Sequence, residues 1–332
     1  MNARHDAGGT GPSTVLRTGF QPVHTSQRPV PLVVIVGPTG VGKTEVALAL
    51  AQRCGAEVVN ADSRQVYRRL DIGSAKPTRE ERAAVPHHVV DIVEPDEPFD
   101  CARFRQLATA AIDDITRRGK RVLVVGGTGL YIRVLLHGLF TGPPRDAARR
   151  DRLLRAERDT PGVLHQRLRA VDPLAAARLH PNDHVRLVRA LEVYELTGRP
   201  ISAWQADHAF AGSASHARVV GLTLPRPQLY ARIEARCHAM VRQGLAEEVQ
   251  RLYANGFDAT LPALRSPGYR EIGEYVRGLC DLPTAIGNMA TATRHLAKRQ
   301  LTWFRADPGT VWCAPDVTAV APHAEAFWAA RR

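Results

Sequence analysis

Residues 37–44 read GPTGVGKT, between the apolar run VPLVVIV and the helix-forming EVALALAQR. Gly37, Gly42, Lys43 and Thr44 fill the spacing G-x-x-x-x-G-K-[ST]. In such a loop backbone amides, a lysine and a hydroxyl surround a polyphosphate and its magnesium ion. Val33 to Val36 suit a strand, and the Ala/Leu run after Lys43 suits a helix. A strand, a glycine loop and a helix in that order commit the chain to an α/β start with a phosphate site at a helix N-terminus. The ligand of that site stays open at this point.

The rest of the chain repeats the alternation. PLVVIV, AEVVN, HHVVDIV and KRVLVV read as strands, separated by the helix after Lys43, the DSRQVY loop and a helix over CARFRQLATAAIDDITRRG. Strands joined through helices imply right-handed crossovers and a parallel sheet covered on both faces. After GPPRD the character changes to about 60 residues of Arg-rich helical sequence without a strand. Asp172 before Pro173 and Asn182 before Asp183 read as helix starts, and Gly198 before Pro200 as a stop. ARVVGLTL returns to the sheet, two helices run to Asn255-Gly256, Pro283 to Arg305 forms a long helix, and TVWC ends as a short strand. The expected fold is therefore α/β: a P-loop NTPase-like parallel sheet core over 30–142 and 209–315, with an inserted all-helical domain over 143–208. Residues 1–29, rich in Gly, Thr, Ser and Pro without periodicity, read as a disordered extension, and 316–332 as a C-terminal tail.

No apolar run approaches the roughly 20 residues that cross a bilayer, and the N-terminus lacks the apolar centre of a signal peptide. A soluble, cytoplasmic chain without membrane contact is expected, and a monomer is the default. The five cysteines are scattered with no C-x-x-C pair, which argues against a disulfide framework and a zinc site. A formal net charge of +12 suits a polyanionic partner or a generally basic surface. Arg greatly outnumbers Lys, so the four lysines stand out: Lys43 in the loop, Lys76 in DIGSAKP, Lys120 before a strand and Lys298 in LAKRQ.

Asp62 lies just past the second strand, on the sheet edge that carries the phosphate loop, where ligands of open α/β sheets bind. It suits magnesium binding or proton acceptance; the plainer reading is an Asp capping its own loop. KRVLVVGGTGLY repeats that placement, with Gly126 and Gly127 allowing close backbone approach and Thr128 adding a hydroxyl. P-loop ATPases and GTPases place a magnesium-holding Asp in this region, and glycine stands here instead. Arg232 and Arg236 are one helical turn apart and suit a diphosphate, an RNA backbone or a solvated face. Arg186 and Arg189, three residues apart, also lie one turn apart beside an apolar side of Leu187, Ala190, Leu191 and Val193. Arg294, Lys298 and Arg305 form a stripe interleaved with Trp303 and Phe304, which reads either as an RNA surface or as core aromatics.

Together these stretches resemble the tRNA dimethylallyltransferase family, the tRNA isopentenyltransferases. The resemblance rests on GPTGVGKT, DSRQVYRRLDIGSAKP, PHHVVDIVEP, FRQLA, VVGGTGLYIRVLLHGL, VDPLAAARLHPNDHVRLVRALEVYELTG, RIEARCHAMVRQGLAEEV, GYREIGEY and ATRHLAKRQLTWFR, in family order from about residue 32 to 305. It implies transfer of a dimethylallyl group from dimethylallyl diphosphate to the exocyclic N6 amine of the adenosine 3′ to the anticodon, in tRNAs reading codons that start with U. It implies Mg2+ as cofactor and the tRNA anticodon stem-loop as partner, with base and donor entering a channel from opposite sides. Carried over by position, Asp62 is the base, with Thr39, Lys43 and Thr128 beside it as catalytic residues. The diphosphate falls to Gly37, Pro38, Thr39, Gly40, Val41, Gly42, Lys43 and Thr44, with Arg232 or Arg236, and the metal to Thr44.

The same carry-over assigns tRNA contacts to Asp62, Ser63, Arg64, Gln65, Thr128 and Arg150, to Val185, Arg186, Leu187, Val188 and Arg189, and to Arg265, Ser266, Pro267, Gly268, Tyr269 and Arg270. Lys298 and Arg299 join them. The chain departs from the family pattern at Val185, where Gln is common, at Pro267, and at Glu271, where Gln is usual. After Arg305 stand a single Cys, Cys313, and a single His, His323, too few for the zinc finger of eukaryotic relatives, so the bacterial form is expected. Two rivals remain: a P-loop small-molecule or nucleoside kinase, which would consume ATP, and an RNA-binding protein with a relic loop, which would bind without chemistry.

Overall fold

The computed structural model describes residues 30–139, 142–208 and 216–330; the expected N-terminal extension lies outside them. Its centre is β1, Leu32–Val36, all five residues buried. It is followed by α1 (Lys43–Cys54), β2 (Ala56–Asn60), α2 (Arg79–Ala84), β3 (His87–His88), α3 (Cys101–Arg117), β4 (Arg121–Gly126) and α4 (Gly129–His137). Five helices come next: α5 (Ala147–Asp159), α6 (Val163–Val171), α7 (Pro173–Arg178), α8 (His184–Thr197) and α9 (Ile201–His208). The chain then returns through β5 (Ala217–Leu222) to α10 (Arg226–Arg242), α11 (Leu245–Ala254), α12 (Tyr269–Val276), α13 (Leu282–Arg305), β6 (Val311–Cys313) and α14 (Val317–Ala329).

The sheet is parallel throughout, in the order β3-β2-β4-β1-β5-β6. Because β1 lies between β4 and β5 with helices on both faces, it reads as an unbroken apolar run rather than an alternating one. Among the described residues no helix is long and apolar enough to cross a membrane.

The helices α5 to α9 enclose an apolar cluster of their own, with Leu153, Leu164, Leu168 and Leu187 fully buried. Their ends follow local chemistry. Asp172 caps α7 with Pro173 in its first turn, Asp183 caps α8 by accepting from the Arg186 amide, and Gly198 closes α8 at φ 68°. At the root of this unit Glu192, 0% exposed, accepts from the Asp146 amide at 2.9 Å and from Arg189 at 2.7 Å. Arg189 also donates to the Pro143 carbonyl at 2.9 Å, which fastens α8 to the incoming chain.

Two sequence expectations need correction. HHVVDIV does not run as one strand, since only His87 and His88 pair with β2. Val89 at φ 62° and Asp91 at φ 58° take left-handed conformations that leave the ladder and bring Asp91 onto Lys76 and Arg82. Residues 316–332 are not merely a tail, because α14 packs on α1 and β5 through Val320, Ala321, Ala324 and Trp328. An Arg53 to Glu325 ion pair at 2.7 Å fastens it to α1.

Candidate active site

The phosphate loop turns from β1 into α1 through Gly37, Gly40 and Gly42, at φ 148°, 80° and 105°. A Cβ on Gly40 would stand 2.9 Å from the Ile233 side chain, and one on Gly37 would stand 2.8 Å from the Leu222 carbonyl, so glycine is required on both counts. No side chain caps the N-terminus of α1, which leaves its first amides for an anion. Lys43 folds back on the loop and donates to the Gly37 and Pro38 carbonyls at 3.0 and 2.9 Å. Burial lowers its pKa to about 8, with Asp62 opposing the shift and Arg236 adding to it.

Asp62 follows β2. Asn60 accepts from the Asp62 amide at 3.2 Å while its own amide donates to the Val89 carbonyl at 3.1 Å, so the strand end is fixed from both sides. One carboxylate oxygen of Asp62 accepts from the Arg64 amide at 2.8 Å; the other has no protein partner among the described residues. Thr128, at the turn after β4, accepts from the Ser63 amide at 3.0 Å and so holds the acidic loop. A Cβ on Gly126 would lie 2.2 Å from the Ala61 carbonyl, which is why no carboxylate residue fits there.

These pieces converge on one cleft of about 1430 Å³. Thr39, Lys43 and Thr44 line one wall, Asp62 and Thr128 face the same space, and Arg236 reaches in from α10. Burial depresses the Arg236 pKa, and Asp62 counteracts that. Among the described residues Arg236 has no ion-pair partner within 4.0 Å, so its charge is free for a phosphate. Arg232, one turn earlier, is exposed and donates to the Val41 carbonyl at 3.4 Å, bracing the loop from outside. Ile233, Cys237, Met240, Met289 and Leu296 give the cleft an apolar wall. Among the described residues no group of three His, Cys, Asp or Glu can hold a metal, so a cation here needs oxygens from its ligand besides Thr44 and Asp62.

The cleft also gathers residues 62–65, residues 265–267 and Arg299. Other expected contacts are placed differently. The side chains of Leu187 and Val188 are 0% and 1% exposed in the helical core, so they do not face RNA. Tyr269 is 1% exposed, and its hydroxyl donates to the buried Glu248 at 2.5 Å. Glu248 also accepts from the amides of Asp71, Ile72 and Gly73, so Tyr269 supports a loop that lines the cleft. Gly268 is buried and donates its amide to Glu271 at 2.8 Å, and Glu271 also pairs with Arg270 at 2.5 Å, a contact that uses the charge Gln would lack. Ser266, although it lines the cleft, is 5% exposed and donates its hydroxyl to the Ala263 carbonyl. Arg150 and Arg189 are turned to Glu192, at 3.8 and 2.7 Å, whereas Val185, Arg186, Lys298 and Arg270 are exposed. Lys76 is structural: its buried ammonium bonds to the Tyr67 carbonyl, Asp71 and Asp91.

The sequence reading missed Gln300. Its side chain accepts from the Thr39 amide at 2.8 Å and donates to the Gly127 carbonyl at 2.9 Å. The signal was its place one residue after Arg299, on the helix face that also presents Leu296 to the cleft.

Comparison with known proteins agrees with this geometry. The family model described as IPP transferase matches residues 65–307, and one described as isopentenyl transferase matches residues 30–88. The chain is 53% identical to a tRNA dimethylallyltransferase of Geobacter metallireducens, covering 85% of this chain and 91% of that one. It is 52% identical to that of Anaeromyxobacter dehalogenans, over 89% and 99%. Among solved structures, the tRNA isopentenylpyrophosphate transferase of Bacillus halodurans matches at TM-score 0.66 and 38% identity, over 91% of this chain and 99% of that one. A eukaryotic dimethylallyltransferase acting on tRNA matches at TM-score 0.70 and 32% identity, over 83% and 70%. Loop, cleft and relatives agree: the chain belongs to the IPP transferase family, the transferases named tRNA dimethylallyltransferase.

Proposed function

We propose that this cleft transfers a dimethylallyl group from its diphosphate to the N6 amine of the adenosine 3′ to the anticodon, in tRNAs reading codons that start with U. The observation that carries the reading is the joining, in one cleft, of a phosphate loop, an unpaired Arg236 and the half-free carboxylate of Asp62. The diphosphate sits on the α1 amides, Lys43 and Arg236, and the dimethylallyl chain lies along the Ile233, Cys237 and Met240 wall. Asp62 and Thr128 orient the adenine amine, which must leave the base stack to arrive there.

The N6 nitrogen bonds to C1 of the dimethylallyl group as the C1–O bond breaks. The bonding pair leaves with the diphosphate, and the amine proton passes to Asp62. Charge growing on the diphosphate is met by donors already in place. Thr44, with Asp62 lining the same cleft, would hold magnesium, which would supply neutralisation of that charge. The kinase alternative is not favoured: the relatives are transferases of this family, and glycine stands where an ATPase carboxylate would.

The test is transfer of labelled dimethylallyl from its diphosphate to an anticodon stem-loop, with magnesium and without ATP. Label on the adenosine beside the anticodon is expected. No transfer, with consumption of added ATP, would replace this reading by a kinase.

A further inference from the structure

Given the proposed reaction, we propose that Gln300 is the positioning residue that sets the donor phosphates against the acceptor amine. Its amide bridges two segments remote in sequence, the phosphate loop at Thr39 and the turn after β4 at Gly127, 261 and 173 residues away. The link continues beyond it. Gly127 precedes Thr128, whose hydroxyl accepts from the Ser63 amide, and Ser63 adjoins Asp62. One side chain therefore ties the loop that grips phosphate to the loop that holds the base.

The chemistry of the tie selects an amide. Its partners are an N–H and a carbonyl, so the bridging group must accept at one end and donate at the other; a carboxylate only accepts and an ammonium only donates. The space is matched as well. A Cβ on Gly127 would stand 2.3 Å from the Gln300 amide nitrogen, so the bare glycine and the glutamine fit as a pair. The helix that carries Gln300 is held on both sides by buried Ala297 and Phe304, and Trp303 fills the space over Gly129. The side chain is thus delivered from a fixed support, as positioning of reacting groups requires.

Gln300→Met keeps the size and removes both hydrogen bonds, and Gln300→Glu keeps the acceptor and removes the donor. The measurements are kcat and KM for both substrates, binding of inorganic pyrophosphate by calorimetry, and the melting temperature. For both variants kcat falls roughly a hundredfold, pyrophosphate binds more weakly, and the KM for tRNA changes less than about twofold. Gly127→Ala, which expels the amide, gives a loss like that of Gln300→Ala, and the double variant is no worse than either single one. Retention of kcat within about twofold in Gln300→Met, or losses in Gly127→Ala and Gln300→Ala that multiply, would overturn the proposal. If either variant fails to fold, the other decides. Weakened pyrophosphate binding in Gln300→Met beside a parent protein that transfers no prenyl group would leave the tie standing and remove the reaction.

Discussion

The cleft and the helical unit use the same arginine-rich chemistry in opposite ways. In the cleft, Lys43 and Arg236 hold their charges at a cost in burial, with no counter-ion at ion-pair distance among the described residues. In the helical unit, Arg149 and Arg152 share Glu195, Arg189 takes Glu192, and Arg186 takes Asp183. Net charge counts all of these alike. Only the first kind is held ready for a ligand, and much of the second is architecture.

Asp62→Ala breaks that comparison most strongly, because it removes the carboxylate proposed as the base and leaves the cationic half of the cleft in place. Turnover should fall about 10²- to 10⁴-fold, while tRNA affinity measured by filter binding falls far less. Unchanged turnover would take Asp62 out of its role. Next is Leu187→Ala, at a site that is 0% exposed. It should cost roughly 2–5 kcal/mol, confined to the helical unit. Hydrogen exchange should rise in α5 to α9 and remain slow in β1 and β4, with pyrophosphate binding preserved. Equal loss in both regions would show that the two cores fold as one.

How far the sequence was legible follows the same division. The phosphate loop, Asp62 and Thr128 could be placed because each sits at a strand end, where a short motif fixes backbone geometry. Leu187 and Val188 were assigned to RNA although the apolar phase of α8 already marked Leu187 as buried; position in a motif does not say which way a helical side chain points. The burial of Tyr269 was equally hidden, since its partner Glu248 lies on another helix. In α14, apolar residues and alanines run nearly all round the helix and Pro322 interrupts it, so no one-sided stripe marks the face that packs on α1 and β5. Gln300 had its helix face as a signal, but its two bonds exist only where three distant segments meet.

Titration separates the cleft from the scaffold more gently. The pKa of Lys43 is lowered from 10.5 to about 8, so below that value the ammonium is present, and on the proposed reading it meets the diphosphate. As pH rises through about 8, pyrophosphate affinity should fall, by at most about tenfold per pH unit. Stability moves the other way: between about 8 and 10.5 the unfolded chain holds the proton that the folded chain has lost, so this group raises stability with pH. Calorimetry and thermal melts across that range should show opposite slopes, and Lys43→Met should flatten both. Parallel slopes would mean that alkaline unfolding, not Lys43, governs binding.

The smallest expected effect sharpens the comparison furthest. Arg186 is exposed at the start of α8, with Asp183 at 3.0 Å as its partner. An exposed pair of this kind contributes little to stability, so Arg186→Glu should leave the melting temperature nearly unchanged. If Arg186 contacts a tRNA phosphate, the variant binds tRNA several-fold more weakly, and the slope of log affinity against log salt becomes shallower by about 0.9. Donor affinity should not move, because the residue is absent from the cleft lining. An unchanged salt slope would place Arg186 with Arg189 among the arginines that build the helical unit, and RNA binding would then rest on the cleft's own cations.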